Sequence, residues 1–226
     1  MSIDDAFRVE YVGLEREPIV IIDDFTGHIE ELEAIGRRAD YQPVDGFPGI
    51  RCRISSTYMT AQAQLLHRIC TQCFGHLRGA KVESCSFSLV SKTPEELTQG
   101  QRRPHFDSTQ PELIALLHYV SGSETGGTAF YRHRRTGFET ILPERASAFD
   151  LAVKQDEQEF GQLPASYFYG DDQRYEMIGE VAAMPDRAIL YRGRLLHSGH
   201  IPIDPDPVSI KASGRLTINT FLLGLD

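Results

Sequence analysis

The 226-residue chain has no tryptophan, four cysteines and only four lysines. Each scarcity excludes something. Four cysteines are too few for a disulfide scaffold at this length. Cys70-Thr-Gln-Cys73 has no second pair with which to build a zinc site, and both cysteines fall on an apolar helical stripe, so they read as core. The apolar runs, such as Pro18–Ile22 and Leu113–Leu117, are far shorter than the roughly 20 residues that span a bilayer. The acidic start, Met1-Ser-Ile-Asp-Asp, lacks the basic and apolar regions of an export signal, so the expectation is a cytoplasmic protein with reduced thiols. There is no nucleophile elbow, phosphate loop or dinucleotide fingerprint. The formal net charge of -9 argues against a nucleic-acid binder.

What is present is an ordinary globular composition, 41% hydrophobic and 24% charged. Its basic residues are almost all arginine, 19 of 23, the side chain suited to gripping carboxylate or phosphate. No linker or repeat divides the sequence, so one domain over 1–226 is expected. Residues 1–80 read as a strand and helical buttress. Pro18–Ile22 is a short β-branched run, and Ile29, Leu32 and Ile35 recur at helical spacing. From about Thr60 to Leu77, Leu65, Leu66, Ile69, Cys70, Cys73, Phe74 and Leu77 form one helical stripe. Tyr41 to Gly49 reads as loop.

Beyond Gly79 the pattern shifts to short strands: Lys81–Val90, Leu113–Val120, Thr128–His133, Phe138–Leu142, Tyr175–Val181, Ala188–Tyr191 and Arg215–Leu223. Thr93-Pro-Glu-Glu96 reads as the capped start of a short helix. Gln155 to Gln173 reads as an inserted lid or loop. The sum is a mainly β (α+β) fold, a jelly roll over residues 81–226 with helical N-terminal support.

Three segments could carry chemistry. In Arg102-Arg-Pro-His105-Phe-Asp107, an imidazole and a carboxylate at i and i+2 of an extended strand point to one face and could share a metal ion. His197 lies just beyond the apolar strand Ala188–Tyr191. It could be a third ligand or a hydrogen-bonded loop histidine. Two histidines and one carboxylate make the facial triad of non-haem Fe(II) oxygenases. On the last strand Arg215, Thr217 and Asn219 share a face. Turned into a barrel, Arg215 would need a carboxylate ligand; on an edge strand it would be surface. Tyr119 could meet a ligand from the end of its strand or serve as core. His118 points the other way and reads as packed, and His200 reads as surface.

The order His105-x-Asp107, Tyr119-Val-Ser with Gly126-Gly127-Thr128-x-Phe130, His197 and Arg215-x-Thr217 resembles the Fe(II)/2-oxoglutarate-dependent dioxygenases, with the prolyl-hydroxylase-like branch nearest. The resemblance covers roughly residues 80–223 and implies a double-stranded β-helix. It implies Fe(II) held by His105, Asp107 and His197. It also implies 2-oxoglutarate chelating the iron, with its distal carboxylate on Arg215, helped by Thr217 and Tyr119. Dioxygen would then drive decarboxylation to succinate and hydroxylation of a small-molecule or protein side-chain substrate. Two departures stand out. The Gly-Gly turn lacks the acidic residue before Thr128. Arg215 follows His197 by 18 residues, with Ile201–Pro207 reading as an extended loop between them.

A non-catalytic jelly-roll or cupin-like metal- or ligand-binding protein is the alternative, and a homodimer stays open. Seven arginines (Arg102, Arg103, Arg132, Arg134, Arg135, Arg192 and Arg194) flank these motifs. They suggest a basic mouth suited to an anionic small-molecule or peptide substrate.

Overall fold

A computed structural model describes residues 6–122, 126–201 and 214–226. Eleven strands run through them: β1 (Arg8–Val12), β2 (Glu17–Ile22), β3 (Gln42–Pro43), β4 (Gly49–Arg53), β5 (Ala80–Val90), β6 (Leu113–Tyr119), β7 (Gly127–His133), β8 (Tyr175–Ala182), β9 (Ala188–Arg192), β10 (His197–His200) and β11 (Leu216–Gly224). Three α-helices accompany them: α1 (Ile29–Arg38), α2 (Ala63–Gln72) and α3 (Pro143–Phe160). The strands form two antiparallel sheets. The larger has the order β1-β2-β9-β6-β11-β5-β4-β3 and the smaller β10-β7-β8. This is a jelly roll whose large sheet extends into the N-terminal segment.

The central strand β6 is buried at every position, because both of its faces are covered. Ile114 and Leu116 point outward, where they pack with Leu66, Ile69, Cys70 and Phe74 of the α2 region. Ala115, Leu117 and Tyr119 point inward, towards Phe130 of the small sheet and Ile189 and Tyr191 of β9. Each fully buried Leu or Ile in these layers contributes about 1.5–3 kcal/mol. Helix α1 covers the far end of the large sheet through Leu32, which packs with Phe87, Leu89, Leu216 and Ile218. The outer face of the small sheet packs Tyr131 and Tyr175 against Phe149 and Val153 of α3.

Several expectations need correction. Helix α2 stops at Gln72, ahead of the chain reversal at Gly75, whose φ of +81° favours glycine. Leu77, the last residue of the apolar stripe, is therefore exposed. Ser56–Gln62 precedes α2 as 3₁₀ helix. Phe138–Leu142 makes no strand, only the single bridge Thr140–Leu195, because Pro143 then turns the chain into α3. That helix carries part of the segment read as a lid. Its buried positions, Phe149, Ala152, Val153 and Asp156, mix a carboxylate with apolar groups and so blur the helical period. Strands β1 and β4 emerge from stretches without clear apolar alternation, and β4 from the edge of a segment read as loop. The short helix after Thr93 is a 3₁₀ turn, Pro94–Glu96, with a capping box. The loop proposed over Ile201–Pro207 falls almost entirely outside the described residues.

Candidate metal centre and its cavity

His105 and His197 face each other across an isolated antiparallel bridge. The His105 N–H donates to the His197 carbonyl at 2.9 Å, and the His197 N–H donates back at 2.8 Å. Two residues on, the Asp107 N–H donates to the Gly193 carbonyl at 2.7 Å. Strand β10 is thus tied to the His105–Asp107 segment by backbone bonds alone, which places three side chains together although the sequence separates them. One ligand atom from each of His105, Asp107 and His197 lies within 4.8 Å of the others. His105 Nε2 is 4.0 Å from Asp107 Oδ1, and His197 Nε2 is 3.6 Å from Asp107 Oδ2. Neither separation is a hydrogen bond. The imidazole rings are 4.4 Å apart at 50°.

Burial grades across the trio: the side chains of His105, Asp107 and His197 are 54%, 16% and 6% exposed. Desolvation dominates their acid–base character. It drives His105 down to about 4, with His197 beside it adding to the fall, and it takes His197 to about 4. It pushes the Asp107 carboxyl up to about 6, against the pull of His105 and Arg51. Neutral imidazoles are what a metal requires. His197 Nδ1 donates to the Leu195 carbonyl at 2.8 Å, so the tautomer is fixed with the Nε2 lone pair facing the cluster. Ligands about 2.1 Å from one ion stand roughly 3 Å apart at right angles, so modest side-chain movement would close the group on a cation. The donor set and its geometry fit Fe(II).

The trio opens into a cavity of about 600 Å³ between the two sheets. Arg215, Thr217, Asn219 and Phe221 reach it from the end of the chain, Tyr191 from β9 and Thr128 from β7 of the small sheet. Arg215 is buried, and one of its nitrogens, Nη1, donates to the His200 carbonyl at 3.2 Å. Its guanidinium lies 5.5 Å from the centre of the Tyr119 ring. Among the described residues no carboxylate pairs with it. Burial pushes its pKa down, with Tyr119 and Tyr191 opposing. The long gap after His197 closes in space, since Arg215 bonds to a residue of the strand that His197 begins. Gly199 makes room for this, because a Cβ there would lie 2.8 Å from Arg215 Nη1. Thr217 Oγ1 donates to Asn219 Oδ1 at 2.8 Å. Tyr119 sits behind the wall: its hydroxyl donates to Thr128 Oγ1 at 2.7 Å, and Thr128 is the residue that reaches the cavity.

The basic mouth is corrected. Arg132 pairs with Glu139 and Glu176, Arg134 with Asp171, and Arg135 with Asp156 and Glu159. Arg192 and Arg194 share Glu17. Arg102 donates to the carbonyls of Leu163 and Glu95. Of the seven, only Arg103 lines the cavity. Arg51 and Tyr191 line it without having drawn attention in the sequence. Tyr191 closes a plain apolar strand. Its ring packs edge-on to His197 at 4.8 Å, and burial pushes its hydroxyl well above the usual range.

The other notable histidines are structural. His118 Nε2 lies 2.9 Å from Asp186 Oδ1, fully buried. His133 lies between Asp156 and Thr136, and His200 stacks on Tyr169. Cys70 is free in the core, its thiol pushed up to about 11 by burial. No described helix is long and apolar enough to cross a membrane.

The jelly-roll fold is shared with solved structures that this chain resembles. The chain belongs to DUF6445, a family of unknown function, whose model matches residues 4–222. No curated protein matches it in sequence. In structure it is similar to SnoK, a non-haem α-ketoglutarate-dependent carbocyclase from nogalamycin biosynthesis. The identity is 12% and the TM-score 0.51, over 93% of this chain and 81% of SnoK. It is also similar to HygX from Streptomyces hygroscopicus, solved with nickel, 2-oxoglutarate and hygromycin B bound (12%, TM-score 0.49, 91% and 82% covered). A third is EctD from S. alaskensis with bound Fe (10%, TM-score 0.48, 98% and 82% covered). At these identities the likeness to SnoK shows a shared fold.

Proposed function

We propose that this protein is an Fe(II)- and 2-oxoglutarate-dependent oxygenase that hydroxylates a small-molecule or protein side-chain substrate. One observation carries the reading: an open two-histidine, one-carboxylate group shares a single cavity with a buried arginine that has no carboxylate partner among the described residues. His105, Asp107 and His197 would hold the metal through their side chains, leaving three coordination positions free. Bound iron, with 2-oxoglutarate and dioxygen, supplies oxidation of a C–H bond coupled to decarboxylation of the keto acid. The chain's own contribution is placement. Leu195 keeps the His197 proton on Nδ1, and β10 holds both histidines in register. Arg215 offers its guanidinium to the distal carboxylate of 2-oxoglutarate, with Thr217 beside it and Tyr119 beneath it as a positioning ring. The Gly126-Gly127-Thr128-x-Phe130 turn supports placing the protein nearest the prolyl-hydroxylase-like branch.

The test is turnover without an added substrate. Protein supplied with Fe(II), ascorbate and 2-oxoglutarate should form succinate slowly, and His105→Ala should not. Binding of 2-oxoglutarate with no decarboxylation would favour the non-catalytic reading. Tight zinc binding with no 2-oxoglutarate affinity would overturn the proposal.

A further inference from the structure

Two more arginines point into the cavity, and neither has a carboxylate partner among the described residues. Arg51 projects from β4, its guanidinium 4.3 Å from the centre of the Phe47 ring, with Nε buried and unbonded. Arg103 leads into the His105 segment, with Nη1 buried and unbonded. Both lower the basicity of His105, so both lie within electrostatic reach of the metal ligands. Several arginines away from the cavity are paired. Glu17 alone takes two of them, and Arg132 has two carboxylates. Buried donors left unmatched beside a cavity ask for a ligand that matches them.

The cavity's charges say which kind. Among its described lining residues the carboxylates are Asp45 and Asp107, against the three arginines Arg51, Arg103 and Arg215. Fe(II) and a doubly charged 2-oxoglutarate cancel each other, which leaves three arginines against two carboxylates, of which Asp107 feels Arg51. Register separates Arg51 from the co-substrate's end of the cavity. Arg51 pairs with Ser88 of β5, and Ser88 with Thr217 of β11, so all three face the same way. Strand β4 therefore stands two strand spacings, about 10 Å, from the strand that Arg215 leads into. Phe47, Phe168 and Phe221 give the intervening cavity apolar walls. A volume of about 600 Å³ suits a metabolite-sized molecule.

We propose that Arg51 and Arg103 together bind an acidic group, carboxylate or phosphate, on the organic substrate oxidised at the metal centre. This rests on the oxygenase reading for the identity of the reaction. Arginine forks suit either group, because each accepts two parallel N–H bonds. The acidic end is held at the β4 side of the cavity, leaving the body of the molecule to extend over the aromatic lining towards His105.

The experiment is calorimetric titration of the full chain loaded with Ni(II) and 2-oxoglutarate, which does not turn over. The probes are phenyl phosphate and phenylacetate, with benzyl alcohol as the uncharged control. Saturable binding of either anion, in preference to the alcohol, is expected, and the preferred anion identifies the acidic group. Arg51→Gln and Arg103→Gln should each weaken it about tenfold. Arg51→Lys, which keeps the charge without the fork, should retain part of the affinity and covers the case of a poorly folded Gln variant. Affinity for 2-oxoglutarate should stay within about twofold in all three, and Arg215→Gln should do the reverse. Equal binding of anions and alcohol would overturn the proposal. So would loss of 2-oxoglutarate rather than of the probe in Arg51→Gln. A wild-type protein that binds phenyl phosphate through Arg51 but takes no 2-oxoglutarate would overturn the oxygenase reading and uphold the arginine site.

Discussion

His118 with Asp186 and His105 with Asp107 and His197 use the same side chains in opposite ways. The first pair is closed. Asp186 accepts from His118 at 2.9 Å and from the Thr26 hydroxyl and the Thr26 and Gly27 amides, within a pocket lined by Phe25 and Tyr58. Burial pushes its carboxyl up, but these hydrogen bonds outweigh burial and hold it at about 2. The second group is open. Its nearest side-chain separations are 3.6 and 4.0 Å, no hydrogen bond joins its side chains, and Asp107 is pushed up rather than down. A closed pair stabilises a fold; an open group leaves its donor atoms available to a ligand. The arginines divide the same way, with Arg132 and Arg192 matched to carboxylates and Arg51, Arg103 and Arg215 left facing the cavity.

The contrast can be broken from either side. Asp107→Ala and His197→Ala should each weaken Fe(II) or Ni(II) binding at least about 100-fold, more than an outer-shell partner contributes, and Asp107→Ala should leave the melting temperature nearly unchanged; metal titration followed by thermal unfolding checks both. Asp186→Ala should do the reverse. It strands His118 and the donors of Thr26 and Gly27 and should lower stability by about 3 kcal/mol in denaturant unfolding, while metal affinity holds. The closed pair also carries a pH signature. Asp186 has a folded pKa below its ordinary value, so its contribution is complete above about 4 and is lost as pH falls towards about 2. His118 is held below its ordinary value by burial, so protonation of the unfolded chain also erodes stability below about 6.5. Stability should therefore fall on acidification, and Asp186→Asn should flatten the lower part of the curve.

A smaller effect is expected at Gly199→Ala, whose Cβ would press on Arg215 Nη1; 2-oxoglutarate affinity should drop about fivefold with metal affinity intact. The smallest belongs to Arg134→Ala. Its pairing with Asp171 is exposed on both sides, so unfolding should change by no more than about 0.5 kcal/mol, and anion binding not at all.

Much of this architecture is legible in the sequence because its signals are local. β5, β6 and β9 read as strands, with β6 apolar in both phases as a buried strand is, and His105-x-Asp107 reads as one face of an extended segment. Whether His197 joins them depends on the bridge to His105, a pairing across more than ninety residues that no local pattern encodes. Helix α3 escapes because Asp156 lies among its buried residues, satisfied by His133 and Arg135. The arginines mislead for a related reason. Proximity in sequence to a motif says where Arg132 or Arg192 starts, whereas Glu139 and Glu17 decide where each side chain ends. Arg51 is missed by the same logic in reverse, since it is remote in sequence and enters the cavity through its register with Ser88 and Thr217.

In the proposed function His105, Asp107 and His197 hold iron in the same cavity in which Arg215 receives 2-oxoglutarate. Anaerobic titration of the Fe(II)-loaded protein with 2-oxoglutarate, followed by visible absorption, tests it most directly, because a keto acid chelating Fe(II) through two oxygens produces a charge-transfer band. A saturable band is expected in the wild-type protein, none in Asp107→Ala, and a markedly weakened titration in Arg215→Gln. A wild-type protein that binds Fe(II) yet develops no band at saturating 2-oxoglutarate would contradict it.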